Sequence, residues 1–302
     1  MKKKSSALLD VETINKLKII MATSLASDDE LLEMLILKGG NAISLGYGLS
    51  DRPSYDLDYS MEDDFQQEIE EVAARVEKLL RDGFAVHGYE LIDFKFLERP
   101  KTQEFNKDFW GGYKVEFKIV EEEEYRKVNN DIEEARRSLA LRLTPGASPV
   151  FSIDISKFEY IDTYKQQKEL EGMTYYVYAP ELIVAEKLRA LCQKLPEYNT
   201  EILGNKAKDK SPARARDFFD IYIMTQEFDF DPSREDLKQL IKQVFDAKRV
   251  PYNYIKQIRG MKDVHRLDYE SLKDTITDKE AKEKGFDFYF DYTMGLFENI
   301  FD

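Results

Sequence analysis

Apolar residues recur along this 302-residue chain with two different periods, and each period predicts a kind of element. Spacings of three and four positions predict amphipathic helices over 8–26, 65–81, 181–194 and 213–227. Short apolar or alternating runs predict strands over 35–37, 54–60, 84–97, 113–120, 150–155 and 173–178. After residue 228 the strand signals stop and the apolar spacing is helical.

This order of elements predicts an α+β fold in which a mixed sheet is flanked by helices and followed by a C-terminal helical domain. A polar turn at 229–232 places the boundary, so the predicted domains are 1–228 and 229–302. Residues 121–143 are highly charged and form a predicted helical insertion between two strands of the first domain.

The charge balance narrows the choice of partners. The chain has 45 Lys and Arg residues against 59 Asp and Glu residues, a formal net charge of −14. A protein that follows long DNA through phosphate contacts usually has the opposite balance, so broad DNA binding is excluded and any nucleic acid must meet a local basic patch. No signal peptide or membrane-spanning apolar run is present, and we expect a cytoplasmic protein without membrane contact.

Cysteine and histidine are scarce, which limits the chemistry. Cys192 is the single cysteine, so an intramolecular disulfide and a cysteine-rich zinc site are excluded, and we expect a buried core thiol. Only two histidines are present, His87 and His265. Carboxylates and lysines must therefore carry any catalysis.

Asp56 and Asp58 are the first candidate metal ligands. They are two positions apart in a predicted strand, so their side chains share one face and can converge on a cation. Mg²⁺ prefers oxygen ligands and needs few from the protein, because water and substrate phosphates complete its shell. A second Asp-x-Asp at 229–231, which we interpret as a solvated turn, shows that this spacing alone is not specific.

The segment Lys38-Gly39-Gly40-Asn41 ends a predicted strand and begins a helix. Glycines at such a turn let backbone N–H groups approach a phosphate, so Gly39 and Gly40 are candidate nucleotide-binding residues. Asn41 can cap the helix or hydrogen-bond a phosphate oxygen. The alternative is an ordinary strand-to-helix turn without a ligand.

Asp154 lies in a predicted strand between aliphatic residues, where an acid is unfavourable unless it is paired or binds a metal. It is the natural third carboxylate. Glu116 competes for that role, although the lysines on either side, Lys114 and Lys118, supply a simpler explanation as ion-pair partners.

Two helical segments carry basic residues that can offset the charge of a triphosphate. One contains Lys187 and Arg189, and the other contains Arg214, Arg216 and the acid Asp217. The alternative is that these charges pair with each other between packed helices.

Taken together, these segments resemble the AbiEii/AbiGii toxin-type nucleotidyltransferases, relatives of the polymerase-beta-like nucleotidyltransferase superfamily. The matching segments span roughly residues 30–225 and keep the order of the family: LKGGNA at 37–42, RPSYDLDY at 52–59, IDI at 153–155, AEKLRAL at 185–191 and RDFFDIY at 216–222. The sequence departs from the family at Asn41, where Thr or Ser is usual, and at Pro53, where a large apolar residue is usual.

The resemblance implies a nucleotidyltransferase-like fold, with Mg²⁺ held by Asp56, Asp58 and Asp154. It implies that Lys187 and Asp217 belong to the nucleotide-handling site, with Arg189 beside them. The implied reaction transfers a nucleotide from a nucleoside triphosphate (NTP) to an acceptor, tRNA or a protein, and releases pyrophosphate. A toxin of this kind also implies an antitoxin protein as a partner.

Two other functions remain open at this point. The same fold can bind a nucleotide or a partner without turnover, although a site that has lost its activity usually lacks one of its acids. A small-molecule nucleotidyltransferase similar to the aminoglycoside-modifying enzymes would suit the acidic charge of the chain, because its acceptor is cationic.

Overall fold

The computed structural model of this chain describes residues 9–49, 56–101, 106–142, 148–204 and 213–302. Its strands are β1 Ile36–Lys38, β2 Leu57–Ser60, β3 Tyr89–Arg99, β4 Gly112–Glu121, β5 Phe151–Ser156, β6 Lys165–Leu170 and β7 Met173–Tyr178. The described strands form one sheet in the order β3-β4-β5-β2-β1-β7-β6. Both parallel and antiparallel pairs occur, which confirms the predicted mixed sheet.

The centre of the sheet brings together segments that are distant in sequence. Strand β2 pairs antiparallel with β1 and parallel with β5, and β5 pairs antiparallel with β4. The side chains on one face of these strands are core residues, such as Leu57 and Ile153. The opposite face carries polar residues, as expected from the alternation of side chains along a strand.

The helices account for most of the remaining described residues. They are α1 Val11–Ala26, α2 Asp29–Met34, α3 Gly39–Asn41, α4 Ile69–Val86, α5 Glu122–Lys127, α6 Ile132–Glu134, α7 Pro180–Cys192, α8 Ala215–Glu227, α9 Glu235–Asp246, α10 Tyr254–Gln257, α11 Lys262–Arg266, α12 Tyr269–Lys273 and α13 Lys279–Phe297. Single π-helical turns follow α3 and α6 and occupy Tyr198–Ile202.

Helices α1 and α4 pack on each other and on the sheet. Their contact is close because Gly83 lies against Ser24, where a Cβ would come within 1.9 Å of the serine Oγ. Asp10 precedes helix α1, and its carboxylate accepts a hydrogen bond from the Thr13 amide and so caps the helix.

The helices after residue 229 pack on α7 and α8 and share one hydrophobic core with the sheet. The domain boundary predicted near residue 229 stays a prediction. The charged segment after β4 is helical, as predicted, in α5 and α6. No described helix is both long enough and apolar enough to cross a bilayer.

The structure corrects three details of the element prediction. Residues 84–86 belong to the end of α4 rather than to a strand, because the helical apolar spacing continues through Phe84. Strand β6 was not predicted, since its sequence KQQKEL has no apolar alternation, and it lies at the edge of the sheet. Strand β2 begins at Leu57, so Asp56 precedes it, and residues 54–55 lie outside the described residues.

Candidate functional site

Four charged residues form a row across the centre of the sheet. The backbone register places Lys38 opposite Asp58, Asp58 opposite Asp154, and Asp154 opposite Lys114. Residues that are opposite each other on neighbouring strands project from the same face. The sheet therefore brings two carboxylates from different segments side by side, with an amine at each end of the row.

Asp58 lies directly under the glycine turn. Gly39 has a φ of +67°, and a Cβ at this position would come within 2.9 Å of the Asp58 Oδ2. Burial raises the pKa of Asp58 to about 6; the nearby Lys38 amine opposes this shift, and the Asp154 carboxylate adds to it. The absence of a side chain at position 39 thus leaves room for a carboxylate that is held close to its like-charged neighbour.

Asp154 is the more exposed member of the pair, with 42% of its side chain accessible. Burial raises its pKa, which Lys114 opposes from 3.8 Å. Glu116, the competing third acid, lies 3.9 Å from the same Lys114 amine and lines a separate depression beside Asp93. Asp154 lines the cleft that also contains Asp58.

Asp56 is held at two points just before β2. The Asn41 Nδ2 donates to the Asp56 carbonyl oxygen at 2.6 Å, and the Ser152 Oγ donates to its Oδ1 at 2.7 Å. Asn41 is fully buried, and its Oδ1 accepts from the Lys18 amine at 3.1 Å. Both polar ends of the Asn41 amide are therefore engaged within the protein.

Lys187 and Asp217, predicted as nucleotide-handling residues, belong to a buried ion cluster between α7 and α8. The Lys187 amine lies 3.1 Å from Asp217 and 2.7 Å from Asp220, and Arg214 donates to Asp217 at 2.6 Å. Burial alone would lower the pKa of Lys187, but the two aspartates raise it above its usual range. The lysine is thus already paired within the protein, as in the alternative interpretation of these helices.

Arg189 belongs to a second buried cluster. Its Nη2 lies 3.0 Å from Glu159 and 3.2 Å from Glu186, whereas its Nε has no hydrogen-bond acceptor among the described residues. Lys38 and Lys248 each lie 3.5 Å from the same Glu159 carboxylate. Burial would raise the pKa of Glu159, yet Arg189 and the two lysines lower it to about 2.

Sequence reasoning did not identify Lys38, Glu159, Glu186 or Lys248 as members of the site. Lys38 directly precedes the predicted glycine turn, which was its signal in the sequence, and only the strand register shows that it lies opposite Asp58. Lys248 follows α9, far from the motifs, and donates to the carbonyl oxygens of Phe109 and Lys157. Only the packing of the C-terminal helices brings it to this site.

These groups surround one cleft with a volume of about 770 Å³. Its lining includes Gly39, Gly40, Asp58, Asp154, Lys187, Arg189 and Asp217, whereas Asp56 and Asn41 are not part of the lining. The exposed cations Arg99, Lys101 and Arg216 also line it. The cleft therefore combines carboxylates at its centre with positive charge at its rim, within a strongly acidic chain.

The donor set suits a hard divalent cation. Asp58 and Asp154 supply carboxylate oxygens, and a cation would relieve the like-charge repulsion that adds to burial in raising the pKa of Asp58. In the described part of the chain, no three His, Cys, Asp or Glu side chains are already arranged to hold a metal ion. Mg²⁺ is commonly bound by one or two carboxylates together with water and substrate phosphates, so the residues present fit it.

Comparison with known proteins gives one match to a family model, described as nucleotidyl transferase AbiEii toxin, type IV TA system, over residues 20–292. Among solved structures, a candidate nucleotidyltransferase from H. pylori is 18% identical, with 96% of this chain and 95% of that chain covered and a TM-score of 0.48. An antigenic nucleotidyltransferase-like protein from Paracoccidioides brasiliensis is 16% identical, with coverages of 77% and 92% and a TM-score of 0.32. No curated protein sequence matches this chain.

Proposed function

This chain belongs to the AbiEii family of nucleotidyltransferase toxins, and we propose that it transfers a nucleotide from an NTP to RNA, with tRNA as the acceptor, in a Mg²⁺-dependent reaction. The family match extends past both ends of the segment 30–225 on which the resemblance was based, and it includes the charged insertion and most of the C-terminal helices. The observation that carries the proposal is the pair of facing carboxylates, Asp58 and Asp154, beside a glycine turn in one cleft.

Asp58, Asp154 and Asp56 would hold the metal, which when bound supplies positive charge to the phosphates and to the acceptor oxygen. Asp58 is the central ligand in this proposal because it lies between Lys38 and Asp154 in the row and under Gly39. The Ser152 hydroxyl fixes one carboxylate oxygen of Asp56. Asp154 rather than Glu116 is the third acid in this proposal, because it shares the cleft with Asp58.

The reaction itself needs a base and a leaving group. A hydroxyl oxygen of the acceptor attacks the α-phosphorus of the NTP, a new O–P bond forms, and the bond to the β-phosphate breaks to release pyrophosphate. Asp154 accepts the hydroxyl proton in this proposal. Its pKa, raised by burial, makes it a stronger base than a solvated aspartate.

Phosphate binding falls to the glycine turn and to the cations on the wall of the cleft. Gly39 and Gly40 leave their backbone accessible to the β- and γ-phosphates. The ion pairs of Lys187 are internal, so we assign it and Asp217 the role of holding α8 and the partly exposed Arg214 against the cleft. Asn41 supports Asp56 in this proposal instead of contacting phosphate.

The rim of the cleft favours an anionic acceptor. Arg99, Lys101 and Arg216 are exposed cations that line the opening. They would attract RNA phosphates and repel the cationic acceptor of an aminoglycoside-type enzyme. Because the family is described as part of a type IV toxin–antitoxin system, we also expect an antitoxin to counteract this chain.

A transfer assay tests the proposal. The purified chain is incubated with Mg²⁺, each α-³²P-labelled NTP in turn, and either total tRNA or a protein lysate. We expect label in tRNA, its loss with EDTA, and its loss in the Arg99→Glu/Arg216→Glu variant at moderate salt. Label in protein instead of tRNA would show that the acceptor is a protein. Nucleotide binding without label in either fraction would show that the chain is a binding module.

A further inference from the structure

Lys18 is a buried lysine that the proposed mechanism does not use. It lies on the apolar side of α1 and is 2% exposed, although lysine is almost never fully buried unless it is paired. Among the described residues, its amine has one hydrogen-bond partner, the Asn41 Oδ1 at 3.1 Å. Burial lowers its pKa to about 8. A single neutral acceptor does not compensate for the loss of hydration, so an apolar residue would be more stable here.

The partner of Lys18 has a second contact. Asn41 is 0% exposed, and its Nδ2 donates to the Asp56 carbonyl oxygen at 2.6 Å. An ammonium group can only donate and a carbonyl oxygen can only accept, so one orientation of the Asn41 amide satisfies both neighbours. Lys18 and the Asp56 carbonyl oxygen therefore select the same orientation of the amide, and Lys18 fixes its Oδ1 end.

Asp56 accepts two hydrogen bonds in this arrangement, one at its backbone and one at its side chain. Asn41 holds its backbone, and the Ser152 hydroxyl holds its Oδ1 at 2.7 Å. No hydrogen bond from a described residue reaches its other carboxylate oxygen, which leaves that atom available for a ligand. Because Asp56 precedes β2 and is exposed, the sheet ladder alone does not fix it.

We propose that Lys18 is a positioning residue that sets the Asn41 amide and, through it, the backbone of the metal ligand Asp56. This inference rests on the proposed function, which makes Asp56 a ligand. Lys18 precedes the segment 20–292 that matches the family model. Without its ammonium, the buried Oδ1 loses the donor that it has among the described residues, and the single contact from Nδ2 is left to hold the amide towards Asp56.

The test compares Lys18→Met with Lys16→Met. Lys16 lies on the same helix but is exposed, so its variant controls for the loss of one charge from α1. For Lys18→Met we expect kcat to fall about 10- to 100-fold, as for other groups that orient a metal ligand. We expect its Tm to stay the same or rise, because an unfavourable buried charge is removed. Lys16→Met should match the wild type in both measurements.

Mn²⁺ binding followed by electron paramagnetic resonance gives a readout that does not depend on transfer. We expect Lys18→Met to weaken Mn²⁺ binding about tenfold. If the wild type transfers no nucleotide but this difference in affinity appears, the proposed function fails and the role of Lys18 stands. A wild type that binds no Mn²⁺ would overturn both.

A double variant distinguishes the positioning of Asp56 through Asn41 from a general destabilisation of the protein. Asn41→Ala removes the contact to Asp56 directly, so adding Lys18→Met to it should cause no further loss of Mn²⁺ affinity. Additive losses would overturn the inference. So would a Lys18→Met variant with a lower Tm and wild-type kcat and Mn²⁺ affinity, because Lys18 would then only stabilise the fold.

Discussion

Asp58 and Asp154 face each other on the neighbouring parallel strands β2 and β5. Adjacent strands are about 4.8 Å apart, so two carboxylates on one face in this register repel each other unless a cation lies between or beside them. The flanking amines of Lys38 and Lys114 offset part of this repulsion. The pair is therefore costly in the free protein and suited to a divalent cation.

Replacing Asp58 by Asn should abolish transfer while preserving the fold. The amide keeps the shape of the side chain but removes the charge that binds the metal, and we expect kcat to fall roughly 100-fold or more. We expect Tm to stay the same or rise, because like-charge repulsion is relieved. The measurements are label transfer from NTP and thermal unfolding of the same preparation.

The second Asp-x-Asp of the chain provides the matched control for Asp58→Asn. Asp231 is exposed and hydrogen-bonds Ser233 in a turn. Asp231→Asn should retain wild-type transfer. Equal activity in the Asp58→Asn and Asp231→Asn variants would remove Asp58 from the mechanism.

Gly39→Ala should impair the site more than it destabilises the protein. The new Cβ would lie 2.9 Å from the Asp58 Oδ2, so the carboxylate must move, and the φ of +67° adds a backbone cost of about 1–2 kcal/mol. Gly48 has the same φ with open space around it, so Gly48→Ala incurs the backbone cost alone. We expect similar losses of stability in urea but a loss of transfer only in Gly39→Ala.

Lys187→Met should destabilise the fold strongly. It leaves Asp217 and Asp220 buried without their shared lysine, and breaking a buried ion pair from one side typically costs about 3–5 kcal/mol. Urea unfolding measures this loss. Lys279→Met, at an exposed position on α13, is the control and should unfold like the wild type. A stable but inactive Lys187→Met protein would instead support direct phosphate contact by Lys187.

Stability should decrease in mild acid because of His265. This side chain is fully buried, its Nδ1 accepts from the Arg214 amide at 3.1 Å, and burial lowers its pKa to about 4. The unfolded chain binds the proton near pH 6.5, so the stabilisation is fully present above that pH and is lost as the pH falls towards 4. We expect the free energy of unfolding to drop by about 2 kcal/mol between pH 7.5 and pH 5.

The control for this prediction is the variant His265→Gln, whose free energy of unfolding is measured in urea at both pH values. Glutamine retains an acceptor for the Arg214 amide and does not titrate. The acid-dependent loss should therefore shrink in the variant. If wild type and variant lose the same stability between pH 7.5 and pH 5, other groups cause the dependence.

Local patterns along the sequence determined the elements and the candidate acids. The periods of three to four and of two positions predicted α1, α7 and α8 and most of the strands, because one face of each element is buried in the core. The same alternation placed Asp58 and Asp154 on polar faces of their strands. Strand β6 was not predicted from the pattern, because it is an edge strand with a polar sequence and therefore has no apolar face.

Only the tertiary structure decided which charges meet. The strand order makes Asp58 and Asp154 neighbours across 96 positions of sequence, and the register places Lys38 and Lys114 beside them. The packing of α7 on α8 pairs Lys187 with Asp217, and the packing of the C-terminal helices places Lys248 in the same site. Electrostatic interactions depend on distance and burial, and neither quantity is encoded in local periodicity, so a sequence can nominate ionisable residues but cannot pair them.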